Sequence, residues 1–148
     1  MTYIARRLIA EKGESAFAEA NSLMISVGES GTAEGLYEYA RFITEYPNAQ
    51  QATGTGTPVD CLRKAAEMGL QEAQIAIMNH EYDAQNHKEA YRWARTLSLA
   101  GRHEGTKRMA DCYNLGLGVK RDKKLAKDLY RTAASNGNKE AADILKSL

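Results

Sequence analysis

The sequence predicts an all-α protein, a short α-solenoid in which three to four antiparallel helix pairs stack on one another. Most of the 148 residues lie in stretches rich in Ala, Leu, Glu, Lys and Arg, which favour helices. No stretch alternates apolar, β-branched residues with polar ones, as a half-buried strand would. Glycine recurs at Gly31, Gly69, Gly101 and Gly137, about every 36 residues, which is long enough for one helix pair.

The first segment, residues 1–30, is predicted to hold a degenerate helix pair. Its Phe17, Ala20, Met24 and Val27 fall on one face of a helix. Three repeats and a capping helix follow, and we expect a single domain over the whole chain. The predicted boundaries are 31–69, 70–101, 102–137 and 138–148.

Apolar stripes and glycines mark where the later helices lie and end. Two stripes at helical spacing are Ala90, Trp93, Ala94 and Leu97, and Ala126, Leu129, Tyr130 and Ala133. Glycines that follow periodic runs, and therefore predict left-handed helix ends, are Gly13, Gly69, Gly101 and Gly137. Small residues stand four positions after the repeat glycines, at Gly35, Ala73, Gly105 and Ala141. They should let neighbouring helices approach closely.

Residues 109–119, MADCYNLGLGV, form the most specific motif of the chain. The motif continues with Asp122, Lys124, Ala126, Tyr130, Ala133, Ala134 and Gly137. This stretch resembles the Sel-one-like repeat (SLR) family, which is related to the tetratricopeptide repeats and has a Y-x-x-G-x-G-V loop. The resemblance is partial in 70–101, which lacks the loop signature, and in 31–69, where the segment Pro47–Pro58 replaces it. It implies helix pairs whose first helices line a concave surface that binds proteins or peptides.

The GLGVK of this motif could instead be a phosphate-binding loop, because two glycines precede a basic run. A loop of the G-x-x-x-x-G-K-[ST] kind needs glycine directly before the lysine, and Val119 stands there. The pattern G-x-G-x-x-G would need glycine at Arg121, and neither pattern follows a predicted strand. We interpret GLGVK as a turn between the two helices of one repeat.

Composition and spacing exclude several other functions. The 20 Lys and Arg against 19 Asp and Glu give a net charge of +1, which argues neither for nor against binding of nucleic acid. Neither a membrane-spanning run nor a signal-peptide core is present, so we expect a cytoplasmic protein. Cys61 and Cys112 are predicted to be reduced and packed within helices. His80, His87 and His103 lack the H-x-x-x-H spacing of a helical zinc site. The sequence thus predicts no enzyme, with no catalytic residue, cofactor or metal.

We predict a partner-binding groove from positions seven, ten, eleven and fourteen after each repeat glycine. These positions hold Glu38, Arg41, Phe42 and Glu45, then Asn79, His80 and Asp83, then Arg108, Asp111 and Leu115. Their mixture of polar groups with an exposed aromatic, Phe42, is typical of a selective interface. The partner would be a protein or peptide, and the chain could be a small inhibitor, immunity or counter-defence protein that blocks one target. Ordinary solvated helix faces remain the alternative.

A basic segment, residues 120–131, is a second candidate surface. Its basic residues are Lys120, Arg121, Lys123, Lys124, Lys127 and Arg131. Lys123 and Lys124 stand in the first turn of a predicted helix, where the helix dipole disfavours cations. An acidic partner or nucleic acid would account for this placement, and so would a solvated face. The last helix carries Ile144, Leu145 and Leu148, which could cover the end of a second copy.

Overall fold

The computed structural model describes residues 17–49 and 56–148, and these form eight α-helices and no strand. The helices are α1 (Phe17–Glu29), α2 (Ala33–Glu45), α3 (Pro58–Glu67), α4 (Gln71–Asp83), α5 (His87–Leu99), α6 (His103–Leu115), α7 (Lys123–Ser135) and α8 (Lys139–Ser147). The all-helical prediction is confirmed for this part of the chain. Its contacts group into two compact units, one that ends at Ala73 and one that begins at Gln74.

In the first unit, α1 packs against α2, and α2 packs against α3. Ala20, Met24 and Val27 are buried, which confirms the predicted apolar face of α1. The start of α3 is fixed by a capping box, in which Thr57 and Asp60 each accept a hydrogen bond from the other's backbone N–H. These hydrogen bonds satisfy donors that the first turn of a helix leaves unpaired.

In the second unit, helices α5 to α8 each pack against the next one along the chain. The predicted apolar stripes are buried, except for the half-buried Leu129. Gly105 lies where α5 and α6 meet. A Cβ atom on Gly105 would stand 2.5 Å from the carbonyl oxygen of Ala94 and 2.6 Å from Cβ of Leu97. The prediction that small residues allow a close approach of helices is therefore confirmed at this position.

The glycines predicted to end helices adopt left-handed backbone conformations. The φ angles of Gly69, Gly101 and Gly137 are +97°, +82° and +101°. Gly13 lies outside the described residues. Next to Gly137, the N–H of Asn138 donates to the carbonyl of Ala133 at 3.0 Å, which satisfies one carbonyl at the end of α7.

Gly137→Val is expected to lower the free energy of unfolding by about 1–2 kcal/mol, because a β-branched residue is strained at this φ. Apart from the chain neighbours of Gly137, no described residue has an atom within 4 Å of the position that a Cβ would take, so the cost comes from the backbone and not from a clash. Gly137→Asn should cost less, because asparagine tolerates the left-handed region better. Equal denaturant midpoints for wild type and Gly137→Val would contradict the prediction.

The GLG sequence is a turn, as predicted. Gly116 ends α6 with a φ of +70°, and Gly118 follows with a φ of +71°. A Cβ on Gly118 would stand 2.8 Å from the carbonyl carbon and oxygen of His87, so the turn lies directly on the start of α5. Asp122 then begins α7, because its side chain accepts a hydrogen bond from the N–H of Leu125 at 3.1 Å.

Both cysteines are fully buried within helices, as the sequence predicts. Burial raises the pKa of the Cys112 thiol to about 11, and the neighbouring Asp111 carboxylate acts in the same direction. The reactive thiolate of Cys112 is therefore scarce at neutral pH. Among the described helices, none is long and apolar enough to cross a membrane.

Candidate partner-binding groove

The first unit places three predicted groove residues at its surface. Arg41 and Glu45 are exposed and Glu38 is half-buried. Arg41 and Glu38 form an ion pair of 3.8 Å one turn apart, and the Arg41 guanidinium lies 5.6 Å from the centre of the Tyr37 ring. Exposed pairs of this kind contribute little to stability. These side chains therefore lie at the surface, and their predicted role in binding stays a prediction.

The prediction that Phe42 is exposed is wrong. Its side chain is 1% exposed and lies in an aromatic cluster, 6.4 Å from the Phe17 ring and 5.0 Å from the Tyr46 ring between centroids. Phe42 stands seven residues after Gly35, about 20° away around the helix, and Gly35 is also buried. It therefore faces the core of its unit and offers no anchor to a partner.

The second unit brings three predicted residues, Asn79, Arg108 and Asp111, into one hydrogen-bonded cluster. Nη2 of Arg108 donates to Oδ1 of Asn79 at 3.0 Å, and Nη1 donates to Oδ2 of Asp111 at 3.2 Å. The Arg108 guanidinium also lies over the Tyr82 ring, 3.9 Å from its centre. Residues of α4 and α6 thus hold the planar guanidinium in one orientation. The remaining predicted residues, His80, Asp83 and Leu115, are exposed.

Asp111 joins this cluster to two other helices. Its Oδ1 accepts a short hydrogen bond from the Tyr130 hydroxyl on α7, and its Oδ2 lies 2.9 Å from Nζ of Lys107. Lys107 in turn contacts Oε2 of Glu140 on α8, at 3.1 Å. Burial raises the pKa of the Tyr130 hydroxyl far above its ordinary value, and the hydrogen bond to Asp111 adds to the shift. Tyr130 therefore remains a hydrogen-bond donor at any physiological pH.

The cluster borders a pocket of about 340 Å³ that three helices of the second unit line. Its lining residues are Ile75, Met78, Asn79, His103, Glu104, Lys107, Arg108, Gly137, Asn138, Lys139 and Glu140. The side chain of Asn138 bridges two of these helices, since its amide lies 3.1 Å from Nδ1 of His103. The lining combines two apolar side chains of α4 with charged side chains of α6 and α8.

Four residues of the cluster are absent from the sequence prediction: Tyr82, Lys107, Tyr130 and Glu140. Only Lys107 carried a signal, because it stands four residues before Asp111, where opposite charges meet on a helix. The contacts of Tyr130 and Glu140 with α6 arise from the stacking of separate helices. No spacing within a single helix indicates such contacts.

The six basic residues of segment 120–131 are all exposed. Arg121 donates from Nε to the carbonyl of Asn114 at 3.1 Å, and Arg131 pairs with Asp128 at 3.2 Å. The four lysines, Lys120, Lys123, Lys124 and Lys127, form no ion pair with any residue that the structure describes. Lys123 and Lys124 do lie in the first turn of α7, as predicted.

Across 17–49 and 56–148, no three His, Cys, Asp or Glu side chains lie together as metal ligands would.

The model of the Sel1 repeat family matches residues 53–70 and 103–138. These two stretches are similar to Sel1 repeats. The longer match spans α6, the GLG turn and α7, and the shorter one includes α3.

Two solved structures share the fold. A Sel1 repeat protein from Oxalobacter formigenes is 27% identical, with a TM-score of 0.67, over 84% of this chain and 96% of that one. A protective antigen present in uropathogenic Escherichia coli strains, which has an SLR fold, is 23% identical, with a TM-score of 0.75. The similarity covers 97% of this chain and 31% of the antigen. The prediction of a helical-repeat solenoid is confirmed.

A protein of Neisseria meningitidis serogroup B with no assigned function is 31% identical over 109 residues. The match covers 74% of this chain, which spans only 23% of that relative's length. Sel1 repeat proteins generally mediate protein–protein interactions, and the family consists of interaction scaffolds rather than enzymes.

Proposed function

We propose that this chain is a non-enzymatic interaction module whose second unit binds a segment of a partner protein in the pocket beside Arg108. The orientation of Arg108 is the observation that carries the proposal. Its guanidinium is held by Asn79, Asp111 and the Tyr82 ring, so little side-chain entropy is lost when a partner contacts it. Arginines fixed in this way are frequent anchors of protein interfaces.

The surroundings of Arg108 support the same conclusion. The pocket combines the aliphatic Ile75 and Met78 with hydrogen-bonding groups from His103 and Asn138. Such a pocket can bury an apolar side chain of the partner while polar groups orient its backbone. The exposed residues Arg41 and Glu45 of the first unit are proposed as further contacts.

Arg108→Ala is expected to weaken binding of the natural partner about tenfold or more, mainly through faster dissociation. The partner would be isolated by affinity purification from the native cell and measured by surface plasmon resonance. Arg92→Ala is the matched control, because Arg92 also lies over an aromatic ring and pairs with a carboxylate, but it is exposed. Arg108→Lys keeps the positive charge but loses the planar guanidinium, so it should also weaken binding. It serves as the second variant if Arg108→Ala does not fold.

The unpaired lysines of segment 120–131 support a second candidate, an acidic protein or nucleic acid bound on α7. Replacing Lys120, Lys123 and Lys124 together should chiefly slow association with such a partner, and the difference should fade at high salt. Loss of binding in this triple variant, with full binding in Arg108→Ala, would place the interface on the basic segment and contradict the groove.

We further propose that binding blocks the partner, as a small inhibitor or immunity protein does. Binding of one segment of one target in this pocket suits such a role better than the assembly of several proteins. The purified chain should then lower the partner's activity at equimolar ratio, and Arg108→Ala should abolish the effect. Undiminished activity of a fully bound partner would exclude a blocking role.

A further inference from the structure

We infer that the pocket accepts a carboxylate of the bound partner on Nζ of Lys107, in the place that Glu140 now occupies. This inference rests on the proposed function, since it names the chemical group that the groove binds. The reasons lie in the charge balance around Asp111, in the exposure of Glu140 and in the remaining lining of the pocket.

The buried part of the cluster holds more positive than negative charge. The side chains of Lys107 and Arg108 are 13% and 16% exposed, and both pair with the single carboxylate of Asp111. Nε of Arg108 is also buried, and it has no hydrogen-bond acceptor within the described part of the chain. Two cations therefore share one buried anion, and the excess positive charge faces the pocket.

Glu140 balances this excess only weakly. It is the second carboxylate on Lys107, but its side chain is 78% exposed. An ion pair with so exposed a member is screened by water and contributes little. A partner that covers the pocket would exclude that water, and its carboxylate would then interact with Lys107 more strongly than Glu140 does. Exchange of one carboxylate for the other costs little and leaves Lys107 paired throughout.

The rest of the lining also favours an acidic group. Lys139 adds an exposed cation to the pocket wall, and it forms no ion pair with any described residue. The one further acidic residue of the lining, Glu104, is already engaged by Arg102 at 3.3 Å. Because Ile75 lies in the same pocket, we expect an acidic residue next to an apolar one in the partner's segment.

Arrays of short random peptides provide a direct test. One central residue is fixed as Glu, Gln, phosphoserine or Lys, and each set is made with both a free and an amidated C-terminus. The fluorescently labelled chain should bind the Glu set about tenfold more tightly than the Gln set. Lys107→Gln should abolish this preference while binding of the Gln set persists. Binding of amidated Glu peptides would assign the carboxylate to a side chain, and binding only of free C-termini would assign it to the chain end.

The variant Glu140→Gln provides a second test of the carboxylate site. Removal of the competing charge should raise affinity for the Glu set several-fold and leave the Gln set unchanged. Asp143→Asn is the matched control on the same helix, because Asp143 pairs with the exposed Lys146 at 3.9 Å and with no other residue that the structure describes. This variant should change binding of neither set.

The outcomes separate this inference from the proposed function. If the Glu and Gln sets bind equally and free and amidated C-termini also bind equally, while Arg108→Ala loses binding, the carboxylate site is overturned and the groove remains the interface. A stronger preference for phosphoserine would also overturn it, because the site would then suit phosphate. Peptide binding that none of the pocket variants changes would overturn the groove itself.

Discussion

Asp111→Ala is expected to lower the free energy of unfolding by about 3–5 kcal/mol, the largest effect of any polar substitution in the second unit. The change removes the one buried carboxylate that pairs with Lys107 and Arg108, and it leaves the Tyr130 hydroxyl without its acceptor. Buried charges that lose their partner destabilise a protein far more than the intact pair stabilises it. Equilibrium denaturation with urea measures the effect.

The control for this prediction is Asp128→Ala on α7. Asp128 also pairs with an arginine, Arg131, at 3.2 Å, but both side chains are more than half exposed. Its removal should cost less than about 1 kcal/mol. If both variants unfold at the same denaturant concentration, Asp111 does not hold the helices of the second unit together.

Phe42→Ala is expected to cost about 3–5 kcal/mol of stability in the first unit, because it empties a buried aromatic site between Phe17 and Tyr46. Phe42→Leu should cost much less, since leucine refills most of the volume. Tyr37→Ala is the control on the same helix, because Tyr37 is only half-buried.

The Phe42 variants also distinguish a core residue from a binding residue. A core residue changes the unfolding midpoint, while the folded Phe42→Leu variant keeps wild-type affinity for the partner. If Phe42→Leu is as stable as wild type but binds about tenfold more weakly, Phe42 contacts the partner and its burial is lost on binding.

The helix ends and the turn were predictable because they depend on local properties. A glycine in the left-handed region ends a helix whatever packs around it. The helix ends at Gly69, Gly101 and Gly137 could therefore be predicted from the positions of these glycines alone. The GLG turn was likewise identified from a complete short motif. The close approach of two helices at Gly105 was predictable too, because helices can come this near only where one of them lacks a Cβ.

The groove was harder to predict, because neighbouring helices decide which side chains they cover. Phe42 and Cys112 both stand seven residues after a buried glycine, and both are buried. His80 stands seven residues after the buried Ala73 and is nevertheless exposed. Spacing along one helix gives a direction around its axis, but whether another helix lies in that direction is a tertiary property. For the same reason the contact between Lys107 and Glu140 leaves no trace in the sequence.

The contacts of Gly118 bear on which amino-acid changes the chain can accept during evolution. The atoms that a Cβ on Gly118 would meet are the carbonyl carbon and oxygen of His87 and the amide nitrogen of Lys88, all of them backbone atoms. The loop of one repeat thus fits against a surface that every amino acid presents equally. Changes of the side chains of His87 and Lys88 leave these backbone contacts in place, provided that Gly118 is kept. At this loop, the fit between neighbouring repeats therefore depends on one missing Cβ and on backbone atoms, and not on a particular side chain.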